Sequence, residues 1–298
     1  MKYKGHKKTL GRYYNTFRSH KKPLIQRLLR ELILDFRVIK LFSNWHVYFL
    51  NKFHFLKKKH IICKLRKGIK YKLRTDKGDF HIINYILNIG VYNQLMNYIK
   101  DNSVVIDVGA HIGIFSILAA KIASNVRVYS YEPDKDNYNL LKENIRINNL
   151  ESNIIPVQEG VCEKKGRRTL IISKESFAWH SMFSLVSKVS HSSFKKSDKE
   201  TKKINMKCVT LKNIFDNFKI SKCHFLKMNC EGAEYEILFN TPPRYLKKIE
   251  SMTIEYHANK DIKELIKFLE NNGFVSVIEA PKFGNFSLLY VRNLRGGK

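Results

Sequence analysis

The spacing of apolar residues changes character near residue 60. Before it, Ile25, Leu28, Leu29, Leu32, Phe36 and Ile39 recur at helical intervals and predict an amphipathic helix over residues 24–42. An aromatic-rich segment, Trp45 to Leu56, follows and runs into Lys57, Lys58 and Lys59. Two roles fit this stretch: an element that lies on a membrane surface or docks a partner, and, as the preferred reading, a helical cap packed on the main domain. Beyond residue 60, Ile61–Leu65 and Ile69–Arg74 read as strands, and Lys77-Gly78-Asp79 supplies a turn.

Short apolar runs then alternate with amphipathic segments. Strands are predicted at Val104–Asp107, Arg127–Glu132, Ile154–Val161, His224–Asn229, Ser251–Tyr256, Phe274–Ile278 and Phe286–Val291. Helices are predicted at Gly113–Ser124, Lys135–Asn148, Ala233–Phe239 and Asp261–Asn271. This alternation is the pattern of an α/β fold, a doubly wound and mostly parallel sheet covered on both faces. The last two strands, joined through Pro281 and Gly284, predict an antiparallel closing pair. The chain thus divides into a basic helical extension (1–60), a strand/helix lead-in (61–100) and an α/β domain (101–294). Ser184 to Lys203 is rich in Ser and Lys without periodicity and reads as a mobile loop, either a lid or a solvated insertion. In such a sheet the site lies beyond the carboxyl ends of the strands.

Charge adds an asymmetry. The chain of 298 residues holds 55 Lys and Arg against 26 Asp and Glu, a net +29. Residues 1–80 carry 23 basic and 4 acidic side chains, so +19 of the excess precedes residue 81. One reading is attraction to nucleic acid or to an anionic membrane surface; the other is composition alone, in a chain rich in Lys, Asn and Ile. With 44% hydrophobic residues the chain can bury a substantial core, which excludes wholesale disorder. The five cysteines (Cys63, Cys162, Cys208, Cys223 and Cys230) are odd in number and form no C-x-x-C pair. They argue against a disulfide framework or structural zinc and fit a reducing cytoplasm. The most apolar early stretch, Leu24 to Leu56, is broken by Arg27, Arg30, Glu31, Asp35, Arg37, Lys40 and Lys52, so no spanning helix is expected. Met1-Lys-Tyr-Lys-Gly-His-Lys-Lys leads into no apolar run, so no secretory signal is expected either.

The chemistry concentrates at the strand ends. The first long apolar strand runs Val104-Val-Ile-Asp107 and turns through Val108-Gly109-Ala110-His111-Ile112-Gly113 into a helix. A dinucleotide fingerprint needs a second glycine where backbone approaches pyrophosphate, and His111 stands there instead. The spacing suits a ligand without pyrophosphate, whose charge at this loop is an α-amino group for Asp107 to pair. Gly109 and Ala110 would let the chain lie close to it. The next strand ends Tyr129-Ser-Tyr-Glu-Pro133, which places Glu132 to accept ribose hydroxyls. Together these point to S-adenosylmethionine. Glu163, after the third strand, has two readings: a contact with the adenine amino group, or a solvated turn carboxylate.

These residues carry a family resemblance. Asp107-Val-Gly-Ala-His-Ile-Gly-Ile-Phe-Ser116, Tyr131-Glu-Pro-Asp134 and Phe225-Leu-Lys-Met-Asn-Cys-Glu-Gly-Ala-Glu-Tyr-Glu-Ile-Leu238 resemble the FkbM family of S-adenosylmethionine-dependent methyltransferases. Trp179-His-Ser181 and Glu255-Tyr-His257 are weaker matches, and the whole spans roughly residues 80–280. The resemblance implies a Rossmann-like sheet of seven strands and O-methylation of a hydroxyl on a sugar, glycan or natural product. One position departs: Asn229 stands where the family usually has Asp, and an amide accepts a hydrogen bond but takes up no proton.

Methyl transfer asks the protein to position a nucleophile and remove its proton. The candidates are Glu231, His257, Asn229 and Glu234. Glu231 suits a base or hydroxyl acceptor, or else caps the following helix; Glu234 falls in the first helical turn, where the helix dipole alone would account for it. His257 ends an apolar strand, where a histidine serves as a base or as packing. Trp179, His180 and Ser181 could stack on and hydrogen-bond a sugar, or simply form a packed turn. No cluster has metal-ligand spacing, so metal dependence stays open. Thr241-Pro-Pro-Arg-Tyr245 follows a helix rather than ending the fourth strand, where an amino-group methyltransferase would need it. Two alternatives stand beside the O-methyltransferase: a nucleic-acid methyltransferase, which the charge favours and this misplaced motif does not, and a catalytically impaired cofactor-binding accessory protein, which Asn229 leaves open. The expected partners are a small-molecule or glycan acceptor and, through the basic N-terminus, the inner membrane surface.

Overall fold

A computed structural model describes residues 24–53, 55–88, 92, 97–173, 201–230, 232–256, 261–279 and 287–294. In chain order it holds α1 (Leu24–Leu41), α2 (Trp45–Lys52), β1 (His60–Lys64), β2 (Lys70–Arg74), α3 (Asp79–Ile83), β3 (Val104–Val108), α4 (Ile114–Ile122) and β4 (Arg127–Tyr131). There follow α5 (Lys135–Ile147), β5 (Ile154–Val157), β6 (Gly160–Val161), β7 (Gly166–Ser173), β8 (Thr201–Val209), α6 (Leu211–Asn217) and β9 (Cys223–Met228). The chain closes with α7 (Glu234–Phe239), α8 (Pro243–Leu246), β10 (Ile249–Tyr256), α9 (Ile262–Asn271), β11 (Phe274–Glu279) and β12 (Ser287–Asn293).

Seven strands form the central sheet in the order β11-β12-β10-β9-β3-β4-β5. Neighbours pair in parallel except at β12, which is antiparallel to both β10 and β11. The sheet is therefore Rossmann-like with one reversed strand near its edge. Alternation along β3 divides the core: Val105 faces a cluster with Ile114, Ile117 and Leu141, while Ile106 and Val108 face one with Ile214, Leu238 and Leu265. From β3 the chain winds to β4 and β5 on one side and later returns to β9 on the other. The crevice at this reversal, beyond the carboxyl ends of β3 and β9, is where such sheets bind ligands.

The amino-terminal segment is fastened to this domain by amide side chains. On α5, Asn144 and Asn148 each pair with β2 as a strand would: Asn144 exchanges hydrogen bonds with the backbone of Lys72, and Asn148 with that of Lys70. Asn44 serves the outer edge of β1 in the same way, donating to the Ile62 carbonyl and accepting from the Lys64 amide. The two-stranded ribbon of β1 and β2 thus leaves few backbone groups unmatched.

Several expectations are corrected. The apolar spacing of α1 suggests a packing face, yet Ile25, Leu29, Leu32 and Phe36 stay exposed while Leu34 and Val38 bury. A helix apolar on two sides can turn only one of them to the core. The predicted strand Ile154–Val161 splits. β5 stays in the central sheet as an edge strand, where Pro156 has no amide to offer a further neighbour, and β6 leaves to pair with β8. Thr201 to Lys203, read as part of a loop, belong to β8, which pairs antiparallel with β7; residues 184–200 lie outside the described residues. Strands β7 and β8 and helix α6 were not expected from periodicity.

Candidate active site

Between β3 and α4 the chain passes through three left-handed residues: Gly109 (φ 76°), His111 (φ 52°) and Gly113 (φ 86°). The reason for Gly109 is internal to the protein, since a Cβ there would lie 1.9 Å from the backbone oxygen of Asn229. Gly113 is fixed similarly by the Leu141 side chain, 2.4 Å from where a Cβ would stand. The amides of Gly109 and Ala110 both donate to the Tyr131 carbonyl (3.0 and 2.9 Å), which stitches the loop to the end of β4. Asn229 donates its amide to the Val108 carbonyl (3.0 Å), so the ends of β3 and β9 meet directly. Gly109, which the sequence assigns to ligand approach, is thus demanded first by this three-strand junction, while Gly113 is crowded by the Leu141 side chain of α5.

Asp107 is fully buried. Its Oδ2 accepts from the Ser116 hydroxyl (2.6 Å), which itself accepts from Ser130 (2.8 Å). Its Oδ1 lies 3.0 Å from the ammonium of Lys227 on β9. That ammonium also donates to the carbonyls of Gly109 (2.7 Å) and Val108 (3.4 Å). Lys227 was missed as a site residue. The signal was available, because a lysine inside the apolar run Cys223–Met228 must be matched by charge if buried.

Glu132 ends β4 as predicted, with its carboxylate turned onto the loop. Oε2 accepts from the His111 amide (2.8 Å), and Oε1 accepts from the Asp134 amide (2.9 Å) and the Asn137 side chain (3.4 Å). Burial outweighs these donors and pushes its pKa up to about 7. Burial likewise pushes His111 down to about 4, so its imidazole is neutral near pH 7. One ring nitrogen, Nε2, lies 3.5 Å from Arg74 of β2; the other, Nδ1, has no hydrogen-bond partner. Arg74 is held by both carboxylate oxygens of Asp79 and donates to Asn137 (2.9 Å). A residue outside the recognisable motifs therefore reaches the loop.

At the end of β9, the Asn229 Oδ1 is buried with no hydrogen-bond partner. Glu234, at the start of α7, is fully buried and accepts the Cys230 amide (2.9 Å), which ties the start of α7 to the chain leaving β9. Glu163 lies in the turn after β6 and pairs with Arg168. Glu231, His257, Trp179, His180 and Ser181 lie outside the described residues. Asp107, Gly109, Ala110, His111, Gly113, Glu132 and Asn229 are thus brought together at one junction, while Glu163 belongs to the small sheet. Among the described residues, no three His, Cys, Asp or Glu side chains converge as a metal site. An open cleft lined by Asn97, Ile99, Lys100, Asp101, Ile122 and Ala123 lies at the opposite end of β3.

Sheet order, reversal point and loop together define a doubly wound, Rossmann-like fold with a ligand crevice at the reversal. A family model, the methyltransferase FkbM domain, matches residues 107–276, more than half of the chain, and the chain belongs to that family. It is 21% identical over 237 residues to methyltransferase sdnD of Sordaria araneosa, which spans 68% of this chain and 88% of that protein. Among solved structures it is similar to the methyltransferase FkbM from Methylobacillus flagellatus (20% identity, TM-score 0.44), with 64% of this chain covering 44% of that one. It is also similar to a structure described as a putative rRNA-methylase from Clostridium thermocellum (9% identity, 70% and 96% coverage, TM-score 0.45).

Membership implies S-adenosylmethionine as the methyl donor, and the junction fits it. Asp107 and the Gly109 carbonyl are acceptors suited to an ammonium, the Glu132 carboxylate suits a diol, and His111 Nδ1 and Asn229 Oδ1 are unmatched polar atoms beside them.

Proposed function

We propose that the protein is an O-methyltransferase that acts on a hydroxyl of a sugar, glycan or natural product, with S-adenosylmethionine as donor. The observation that carries this reading is Asn229. Its Oδ1 is buried and unmatched beside Gly109, at the strand end that faces the donor loop. An unmatched acceptor there suits a substrate that brings a hydrogen-bond donor, as a hydroxyl does. The donor supplies a methyl group made electrophilic by its sulfonium. The chain's own residues do the rest: Asp107 and the Gly109 carbonyl hold the ammonium end, Glu132 the ribose, and Asn229 orients the acceptor oxygen. Glu231 and His257 are the candidate bases for the hydroxyl proton, with Trp179, His180 and Ser181 binding the acceptor. The neutral state of His111 means that it adds no further positive charge beside Lys227 and Arg74, each of which is paired with a carboxylate.

Transfer of a labelled methyl group to a panel of glycan, lipid-linked sugar and RNA acceptors tests this reading. Label is expected in a base-stable ether on a sugar or natural-product hydroxyl, and label confined to RNA bases would refute it. Asn229→Asp is expected to raise turnover roughly tenfold or more, because a carboxylate can also take up the proton. The net charge of +29 favours one further partner. The exposed apolar side of α1, with Ile25, Leu29, Leu32 and Phe36, beside a segment of strong positive charge, suits the surface of an anionic membrane. No described helix is long and apolar enough to cross one.

A further inference from the structure

Lys227 sits in the middle of a seven-stranded sheet, on β9 between β3 and β10, where packing alone would be met by Leu or Met. Taking an ammonium out of water there is costly unless it is matched by charge and hydrogen bonds. Lys227 is matched by three oxygens, all at the mouth of the donor loop: Asp107 Oδ1, the Gly109 carbonyl and the Val108 carbonyl. The first two are the acceptors that suit the ammonium of the methyl donor's amino-acid end. The acceptors for one cation are thus held by another.

This arrangement is the complement of a zwitterion. An α-amino acid presents an ammonium and a carboxylate on one carbon, and the junction presents a carboxylate and an ammonium side by side. When a ligand ammonium takes Asp107 and the Gly109 carbonyl, the Lys227 ammonium loses those partners and needs a new anion. The ligand's own carboxylate is within the same group of atoms. Four charges then alternate in sign, and none is left buried alone. The other cation at the loop, Arg74, is committed to Asp79 through two nitrogens and stands on the His111 side. Ser116 keeps Asp107 oriented through its second oxygen throughout the exchange.

We infer that Lys227 is the residue that receives the carboxylate of the donor's amino-acid end, making the Asp107–Lys227 pair a recognition element for a zwitterion. The inference rests on the methyl-donor reading above. It makes Lys227 a determinant of specificity: the pair selects an intact amino-acid end over the same nucleoside without the carboxylate.

Calorimetry with three ligands tests it: S-adenosylhomocysteine, its decarboxylated analogue, and 5′-methylthioadenosine, which lacks the amino-acid end. The wild-type protein is expected to prefer S-adenosylhomocysteine over the decarboxylated analogue by roughly 10- to 100-fold, as a charged hydrogen bond would give. Lys227→Gln, which can still donate to the Gly109 carbonyl but carries no charge, is expected to bring that preference within about threefold. Its affinity for methylthioadenosine should stay within about twofold of wild type. A preference that survives in Lys227→Gln overturns the inference. So does an equal loss for all three ligands, which would mark Lys227 as a strut of the loop. Should the variant fail to fold, the wild-type comparison still decides, since equal binding of the acid and its decarboxylated analogue overturns the inference. Absence of binding by all three to the wild-type protein is a different result, and it would overturn the methyl-donor reading itself.

Discussion

Glu132 shows how one buried carboxylate links loop geometry to pH. Both its oxygens accept backbone amides, from His111 and Asp134, so the ionised form fits the donors around it. Burial nevertheless raises its pKa from 4.5 to about 7, so at intermediate pH the folded chain holds a proton that the unfolded chain has released. Its contribution to stability is therefore full below about pH 4.5 and is lost as pH rises through about 7. Over that window the effect is about 3 kcal/mol. Glu132→Gln removes this slope. Denaturant unfolding from pH 5 to 8 should show the variant gaining on the wild type as pH rises; parallel curves would mean that Glu132 is not the group responsible. His111, pushed down to about 4, stays neutral in the folded chain over that range while the unfolded histidine takes up a proton below about pH 6.5, so it adds a slope of opposite sign that is common to wild type and variant and cancels in their difference.

At the scale of elements, the informative contact is between α5 and β2. Asn144 is fully buried and joins two places through three hydrogen bonds: the backbone of Lys72 through two, and the Ile112 carbonyl of the donor loop through a third. Tyr71 on the same ribbon donates to the Ile114 carbonyl (3.1 Å) at the start of α4. The ribbon therefore braces the loop from the side away from β9. Asn144→Ala leaves these backbone groups without partners and should cost about 2–4 kcal/mol, read as a lowered thermal midpoint. Ligand affinity should fall with it, because the Ile112 carbonyl is freed at the same time. An unchanged midpoint would show that the ribbon docks by apolar packing alone.

For the whole molecule, charge and apolar exposure coincide in the segment before the sheet. Residues 1–80 carry +19 of the net +29, and α1 exposes Leu29, Leu32 and Phe36 on one side while Leu34 and Val38 hold the other to the core. Sedimentation with vesicles separates charge from insertion. Binding to phosphatidylglycerol vesicles and not to phosphatidylcholine is expected, because the attraction is electrostatic. Replacing Leu29, Leu32 and Phe36 together by Ser leaves the charge unchanged and should weaken that binding about tenfold or more. Unchanged binding would reduce the attraction to bulk charge.

The alternation of apolar runs with amphipathic segments is a local property, and it was enough to place the strands of the central sheet, with β5 drawn too long, and four of the helices between them. Motif residues were legible for the same reason: Asp107, Gly109, Gly113 and Glu132 lie at strand ends that any such sheet brings to one edge. What sequence could not tell was partnership. Lys227 stands 120 residues after Asp107, and Arg74 precedes His111 by 37, so neither pairing leaves a periodic trace. Glycine at 109 was readable as a requirement but not its cause, which is the backbone of Asn229 coming from the far side of the fold. The strands β7 and β8 escaped because they pair with each other, and β8 with β6, in a separate small sheet where no helix alternates with them. Local pattern determines which segments become strands and helices, because burial selects a period. Which buried charges meet, and which side of α1 reaches the core, is decided only when distant segments compete for the same space.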